Sequence, residues 1–238
     1  MRSNKEIWGV IPARGGSKSI PYKNLVQIGG KTLIERAVLT ARASQHLTRL
    51  ILSTDDSRIA AHGKDLELEI HQRPNTLADD ETPINDVLMH LVNDVELLRG
   101  RGTPDLITLL QVTSPFVRAC DIDESISALL EHSEYQSAQT VSECPHNCHA
   151  INQREMRGDQ VRFASAKERA SAYNKQKKPT RYTFGNVVSV RVDAINRGEG
   201  VFAEPSFGVT IPHLYSFDLD RSDDIPIAEA LAKLVSAA

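Results

Sequence analysis

The residues with the most chemical capacity stand in IPARGGSKSIPYKN, residues 11–24, directly after the apolar run Ile7-Trp8-Gly9-Val10-Ile11. Gly15 and Gly16 let a ligand approach the backbone and offer it amide N–H groups. Arg14 presents a planar fork of donors that matches phosphate oxygens, and Lys18 adds a compact point charge. A strand followed by a cationic glycine loop therefore reads as a cradle for a polyphosphate. The plainer alternative is a surface loop with solvated cations. The spacing matches neither the G-x-x-x-x-G-K-[ST] phosphate loop nor the G-x-G-x-x-G dinucleotide fingerprint.

A second constellation is Asp218-x-Asp220, with Asp223 and Asp224 behind it. In a strand, residues two apart share a face, so the two carboxylates could hold one hard cation. Mg²⁺ suits one or two carboxylates completed by phosphate oxygens and water. The alternative is a solvated strand end before a helix whose N-terminal dipole favours acids. Cys144-x-x-x-Cys148, with His146 and His149, has the spacing of a zinc ligand pair, but no second pair follows and structural zinc is not expected. Asp55-Asp56 reads as a metal pair or, at least as well, as a strand-end turn or cap. The other histidines are scattered and carry no assigned role.

The elements that must position these groups follow from periodicity. Apolar runs at 7–11, 50–52, 68–70, 106–110, 137–141 and 187–190 read as strands. Between them, Thr32-x-x-Glu35 has the form of a capping box, and Leu33, Ile34, Ala37, Val38 and Ala41 share one helical face behind it. Thr82-Pro83 reads as an N-cap with proline at the first helical position. Further helices are expected over 121–130 and from about 223 to 236. Strands alternating with amphipathic helices predict a Rossmann-like α/β fold, a mostly parallel sheet with helices on both faces. The polar clusters ARGGSK, STDD and QVTSP all follow strands, where ligands of such sheets bind.

The 238 residues are expected to form one domain with an excursion at 144–181. That stretch is polar and cationic, with Lys167, Arg169, Lys175, Lys177, Lys178 and Arg181. It reads as a long irregular lobe that leaves the core to meet a second subunit. A net charge of −3 argues against bulk nucleic-acid binding. No apolar run approaches the roughly 18 residues of a membrane span, and no signal-peptide core is present at the N-terminus. Three cysteines fit a reducing, cytoplasmic setting better than a disulfide framework.

Taken in order, ARGGSKxIPxKN, STDD, RPxxLAxD, LLQxTSP and the late DxD resemble the acylneuraminate cytidylyltransferases, the CMP-sialic acid synthetase family. The resemblance spans nearly the whole chain. It implies a nucleotidyltransferase-type core, a protruding dimerisation lobe at 144–181 and a homodimer. It also implies transfer of CMP from CTP to the anomeric hydroxyl of a nonulosonic, sialic-acid-like 2-keto sugar acid, with Mg²⁺ and release of pyrophosphate. By motif, Arg14, Gly15, Gly16, Ser17, Lys18 and Asn24 would hold the nucleotide, with Arg14 and Lys18 neutralising the departing pyrophosphate. Arg73 would lie near the cytosine or ribose. Gln111, Thr113 and Ser114 would face the acceptor, and Asp218 and Asp220 would carry the magnesium.

The acceptor side departs from the family pattern. Where the family tends to carry Arg-x-Asn-Gly, this chain reads Thr183-Phe184-Gly185-Asn186, so the arginine expected to clamp the acceptor carboxylate is missing. Arg181 and Arg118 are the two substitutes on offer. Ser19 replaces a glycine, Arg118 falls one place late after TSP, and His149-Ala150 replaces a His-Pro pair. Alternatives are therefore the same CTP chemistry on Kdo, another acidic sugar or a phosphonate, and a nucleotide-binding protein without catalysis. No general base stands out.

Overall fold

The computed structural model describes residues 5–17, 19–79, 81–99, 102–172 and 174–236. Lys18, one of the expected phosphate ligands, lies outside the described residues. The first half of the chain runs β1 (Ile7–Pro12), a short hairpin of β2 (Gln27–Ile28) and β3 (Lys31–Thr32), α1 (Leu33–Arg42), β4 (Arg49–Thr54), α2 (Ser57–Asp65) and β5 (Glu69–Gln72). It continues with α3 (Ile84–Val92), α4 (Val95–Leu98), β6 (Leu106–Leu110), α5 (Ala119–Glu131) and β7 (Ser137–Glu143). The second half holds β8 (Arg154–Arg157), β9 (Gln160–Phe163), α6 (Ala166–Ser171), β10 (Tyr182–Arg191), α7 (Val192–Asn196), β11 (Ser206–Thr210) and α8 (Asp224–Ser236).

One seven-stranded sheet, in the order β11-β7-β10-β6-β1-β4-β5, carries the core. Its strands are parallel except β10, which runs against both β6 and β7. Both faces are covered, which is why the central strands are apolar throughout; all five residues of β6 are buried. Along β1 the side chains alternate: Ile7 and Ile11 join Ile34, Val38, Ile59, Ile122 and Ala228 on one face. Trp8 and Val10 join Leu88, Leu91 and Ile195 on the other. The carboxyl ends of β1, β4, β5, β6 and β7 and the amino end of β10 open to one side, and the polar loops collect there.

Local rules explain the helix starts. The capping box forms as read, with Glu35 N donating to Thr32 Oγ1 at 3.1 Å and Thr32 N donating to a Glu35 carboxylate oxygen. Asp56 caps α2 by accepting from Arg58 N and Ile59 N, so the Asp55-Asp56 pair resolves to the cap reading.

Three expectations change. Pro83, not Thr82, is the N-cap of α3, and Thr82 Oγ1 donates instead to Asp79 Oδ1 at 2.8 Å. The stretch 144–181 is not irregular throughout, since it holds the β8–β9 hairpin and α6. Residues 217–220 are not a strand: a single 3-10 turn, His213–Ser216, precedes them, and a fully buried Leu219 anchors them by donating its N–H to Thr113 O at 2.8 Å. Asp218 and Asp220 therefore flank a tertiary anchor rather than sharing a pleat. Among the described residues no group of three or more His, Cys, Asp or Glu could hold a metal ion.

Candidate active site

The loop after β1 is a tied arch. Ala13 N donates to Ser53 O at 2.9 Å, fixing its start to the end of β4. Asn24 Nδ2 donates to Arg14 O at 2.8 Å, so Asn24 closes the base of the arch. Gly15 N donates to Asp55 Oδ1 at 3.0 Å, which turns that amide toward the protein. Gly15 is required sterically: a Cβ there would lie 2.7 Å from the Cβ of Asp56, the residue that caps α2. A Cβ on Gly16 would meet nothing within 4 Å. Tyr22 turns the chain in the left-handed region, at φ 51°, with the Arg58 guanidinium 3.9 Å over its ring.

The arch separates two hollows. One, of about 390 Å³, is lined by Gly15, Gly16, Ser17, Tyr22, Asp55 and Arg58 among others. The other, of about 220 Å³, is lined by Pro12, Arg14, Arg73, Asp79, Thr82, Ile84 and Val87. The smaller cleft combines two guanidiniums, a carboxylate and two aliphatic side chains, the mixture that small-molecule sites present. Arg73 is buried just past β5, with Nη2 donating to Ser53 O at 3.2 Å and to Ser53 Oγ at 3.4 Å. Burial is the main influence lowering its pKa; Asp55 opposes this and Arg14 adds to it. Two like charges thus face one partly dry space, which favours an anion between them.

Lys23 is nearly buried and sends Nζ to Asp220 Oδ1 at 3.1 Å. The sequence PYKN gives no sign of this role, because the partner of Lys23 lies 197 residues away. This contact joins the glycine loop to the acidic pair. The pair in turn reaches the turn after β6: Ser114 N donates to Gln111 O at 3.1 Å, and Ser114 Oγ donates to Asp218 Oδ1 at 3.4 Å. Loss of hydration raises the Asp218 pKa; a hydrogen bond from Thr113 opposes it, Asp220 raises it further and Lys23 lowers it. Two hard oxygen donors that repel each other fit a divalent cation, and the remaining ligands would come from phosphate and water. The structure thus draws Arg14, Gly15, Asn24 and Arg73 together, and links Thr113, Ser114, Asp218 and Asp220 to them through Lys23. Gln111, half-buried, contributes its carbonyl to the turn, and Ser17 lines the larger hollow.

The acceptor-side substitutes separate. Arg118 is committed: its Nε and Nη2 grip Asp121 at 3.1 and 2.6 Å, and its guanidinium lies 4.2 Å from the Tyr215 ring centroid. Arg181 is exposed and lines a hollow of about 550 Å³ with Cys144, His146, His149 and Lys178. Asn186 serves the framework, accepting from Thr140 Oγ1 at 2.9 Å and donating to Tyr215 O at 2.8 Å. Gly185 must be glycine, because a Cβ would stand 2.6 Å from Thr140 Oγ1.

Sheet order, cationic arch and acidic pair together define an α/β protein of nucleotidyltransferase type. The family model described as cytidylyltransferase matches residues 8–229, and the chain belongs to that family. It is 29% identical over 140 residues, 59% of this chain and 31% of the relative, to N-acylneuraminate cytidylyltransferase A of Danio rerio. It is 30% identical over 130 residues, 54% of this chain and 50% of the relative, to an 8-amino-3,8-dideoxy-manno-octulosonate cytidylyltransferase of Shewanella baltica. The chain thus spans half or less of the length of these curated relatives. Its fold is similar to that of a CMP:2-keto-3-deoxy-manno-octonic acid synthetase solved with CTP, with a TM-score of 0.70 at 16% identity over 98% of this chain and 100% of the other.

Proposed function

We propose that the protein transfers CMP from CTP to the anomeric hydroxyl of an acidic 2-keto sugar of the nonulosonic, sialic-acid-like kind. The observation that carries this reading is the meeting of Arg14 and Arg73 in one cleft at the end of the central strands, beside a glycine arch tied to a carboxylate pair. The acceptor oxygen attacks the α-phosphorus, the bond from that phosphorus to the bridging oxygen breaks, and pyrophosphate leaves. Such chemistry rests on alignment and charge neutralisation more than on covalent help. Arg14, with Lys18, stabilises the negative charge that grows on the departing pyrophosphate. Arg73 holds the cytidine side of the nucleotide. Gln111, Thr113 and Ser114 face the acceptor, and Arg181 receives its carboxylate. Asp218 and Asp220 would hold Mg²⁺, which would supply Lewis-acid polarisation of the α-phosphate.

A second acceptor class, the Kdo-like octulosonates, is favoured by the octulosonate name of one relative and by the altered Thr183–Asn186 segment. Pyrophosphate release measured with each nucleoside triphosphate against a panel of nonulosonic acids, octulosonates and phosphonates separates the two. CTP-selective release with a nine-carbon acid supports the first reading. Release only with octulosonates replaces it with the second, and no release with any acceptor removes both.

The assembly we propose is a homodimer through the 144–181 lobe. That segment holds nine Lys and Arg against three Asp and Glu in a chain of net charge −3, and its hairpin exposes Met156 and Val161. A cytoplasmic location is proposed with it. Among the described residues no helix is long and apolar enough to cross a membrane.

A further inference from the structure

Behind Arg73 runs a buried line of hydrogen bonds that the reaction itself does not use. Ser53 Oγ lies 2.9 Å from His71 Nδ1, and His71 Nε2 lies 2.8 Å from His90 Nδ1. Ser53 and His71 are fully buried on the neighbouring strands β4 and β5, whereas His90 is exposed near the end of α3. The same helix lines the cleft with Ile84 and Val87 in its first turns. Asp94 Oδ2 stands 3.9 Å from His71 Nε2, near enough to favour a proton there but too far for a good hydrogen bond.

Donor and acceptor roles are fixed from the arginine outward. A guanidinium only donates, so Ser53 Oγ accepts from Arg73 Nε and Nη2, both at 3.4 Å. The serine proton must then go elsewhere. Among the described residues the acceptor within its reach is His71 Nδ1. His71 is therefore neutral with its proton on Nε2, and it donates to His90 Nδ1. Burial, foremost, and the neighbouring His90 hold His71 well below the ordinary histidine range, at about 4, which agrees with the neutral ring.

We infer that His71 is a positioning residue: it orients the Ser53 hydroxyl, and through it the Arg73 guanidinium, so that Arg73 faces the nucleotide cleft in one fixed pose. The affinity arm of this inference rests on the cytidylyltransferase reading; the geometric arm does not. Removing the Nδ1 acceptor leaves the serine proton without a partner and frees the hydroxyl to turn, which loosens the seat of Arg73.

The test compares wild type with His71→Leu, His71→Asn and Ser53→Ala. Asparagine places its Oδ1 where Nδ1 stood, keeping the acceptor for Ser53 while losing the link to His90. Calorimetric titration with CTP and Mg²⁺ should show affinity reduced about tenfold in His71→Leu and Ser53→Ala. His71→Asn should stay within about threefold of wild type even where its melting temperature falls as far as that of His71→Leu. Wild-type affinity in His71→Leu, or equal weakening in His71→Asn, would overturn the inference.

If wild type binds no CTP, the functional reading fails and the positioning claim is judged by nitrogen-15 NMR alone. A distinct Arg73 Nε–H signal in wild type and His71→Asn that is lost or broadened in His71→Leu supports it. The same signal in all three, or a His71 ring protonated on Nδ1, overturns it.

Discussion

The two adjacent glycines of the arch should respond in opposite ways to one added methyl group. In Gly15→Ala the new Cβ would sit 2.7 Å from Asp56 Cβ and 2.8 Å from Asp56 Oδ2. The first of these atoms is fixed by the backbone of the α2 N-cap, so it cannot swing away. Either the arch lifts, breaking the bond from Gly15 N to Asp55, or the cap shifts. Overpacking of this kind costs about 1–3 kcal/mol, which for a chain of this length lowers the melting temperature by about 3–9 °C. In Gly16→Ala the methyl enters open space at an ordinary backbone angle, so the melting temperature should hold within about 1 °C. That open space is where phosphate oxygens would approach the chain, so pyrophosphate release should fall about tenfold or more. Thermal melts and a coupled pyrophosphate assay on both variants decide the matter. A Gly15→Ala protein as stable as wild type would refute the steric argument. A Gly16→Ala protein of normal turnover would refute the approach of the nucleotide to that backbone.

Three other substitutions follow from the same contacts. Lys23→Met breaks a bridge whose acidic end is 72% exposed, so stability should change by less than about 1 kcal/mol while turnover falls about tenfold or more; equal turnover would detach Lys23 from the site. Asp218→Asn should lower kcat/KM about a hundredfold and blunt its response to Mg²⁺. Because the Asp218 pKa is raised, the metal response of the native protein should fade at a higher pH than an ordinary aspartate would give; a magnesium titration across pH checks both. His71 is held near 4 when folded and rises to about 6.5 when unfolded, so the unfolded chain takes up the proton first as pH falls. Stability should drop by about 2 kcal/mol between about pH 7 and about pH 5, and urea unfolding should show a smaller drop in His71→Asn.

The parts of the fold that the sequence made legible are those fixed by local rules. The apolar run at 7–11, the Thr32–Glu35 cap and the all-buried Leu106–Leu110 strand appear where period and composition put them. A buried strand reads the same in either direction, so the reversal of β10 was not legible from Val187–Val190. The alternation of Asp218 and Asp220 suggests a strand that does not form, because Leu219 is held by a bond to Thr113, a partner more than a hundred residues away in sequence. Lys23 is not legible because its charge gains meaning only from Asp220, and His71 is not because Ser53 and His90 lie 18 and 19 residues from it. Chemistry that depends on which strands are neighbours cannot be read from spacing along one of them.

We propose that the triphosphate of CTP lies against the arch after β1, with Arg14 and Arg73 facing the nucleotide and the Asp218–Asp220 pair facing its metal. A crystal structure of the protein with CTP and Mg²⁺ tests this most directly. Phosphate oxygens are expected within hydrogen-bond distance of the Arg14 guanidinium and the Gly16 amide, with the nucleoside in the cleft beside Arg73 and the ion on Asp218 or Asp220. Nucleotide bound elsewhere, with the arch open to solvent and the acidic pair without a cation, would contradict it.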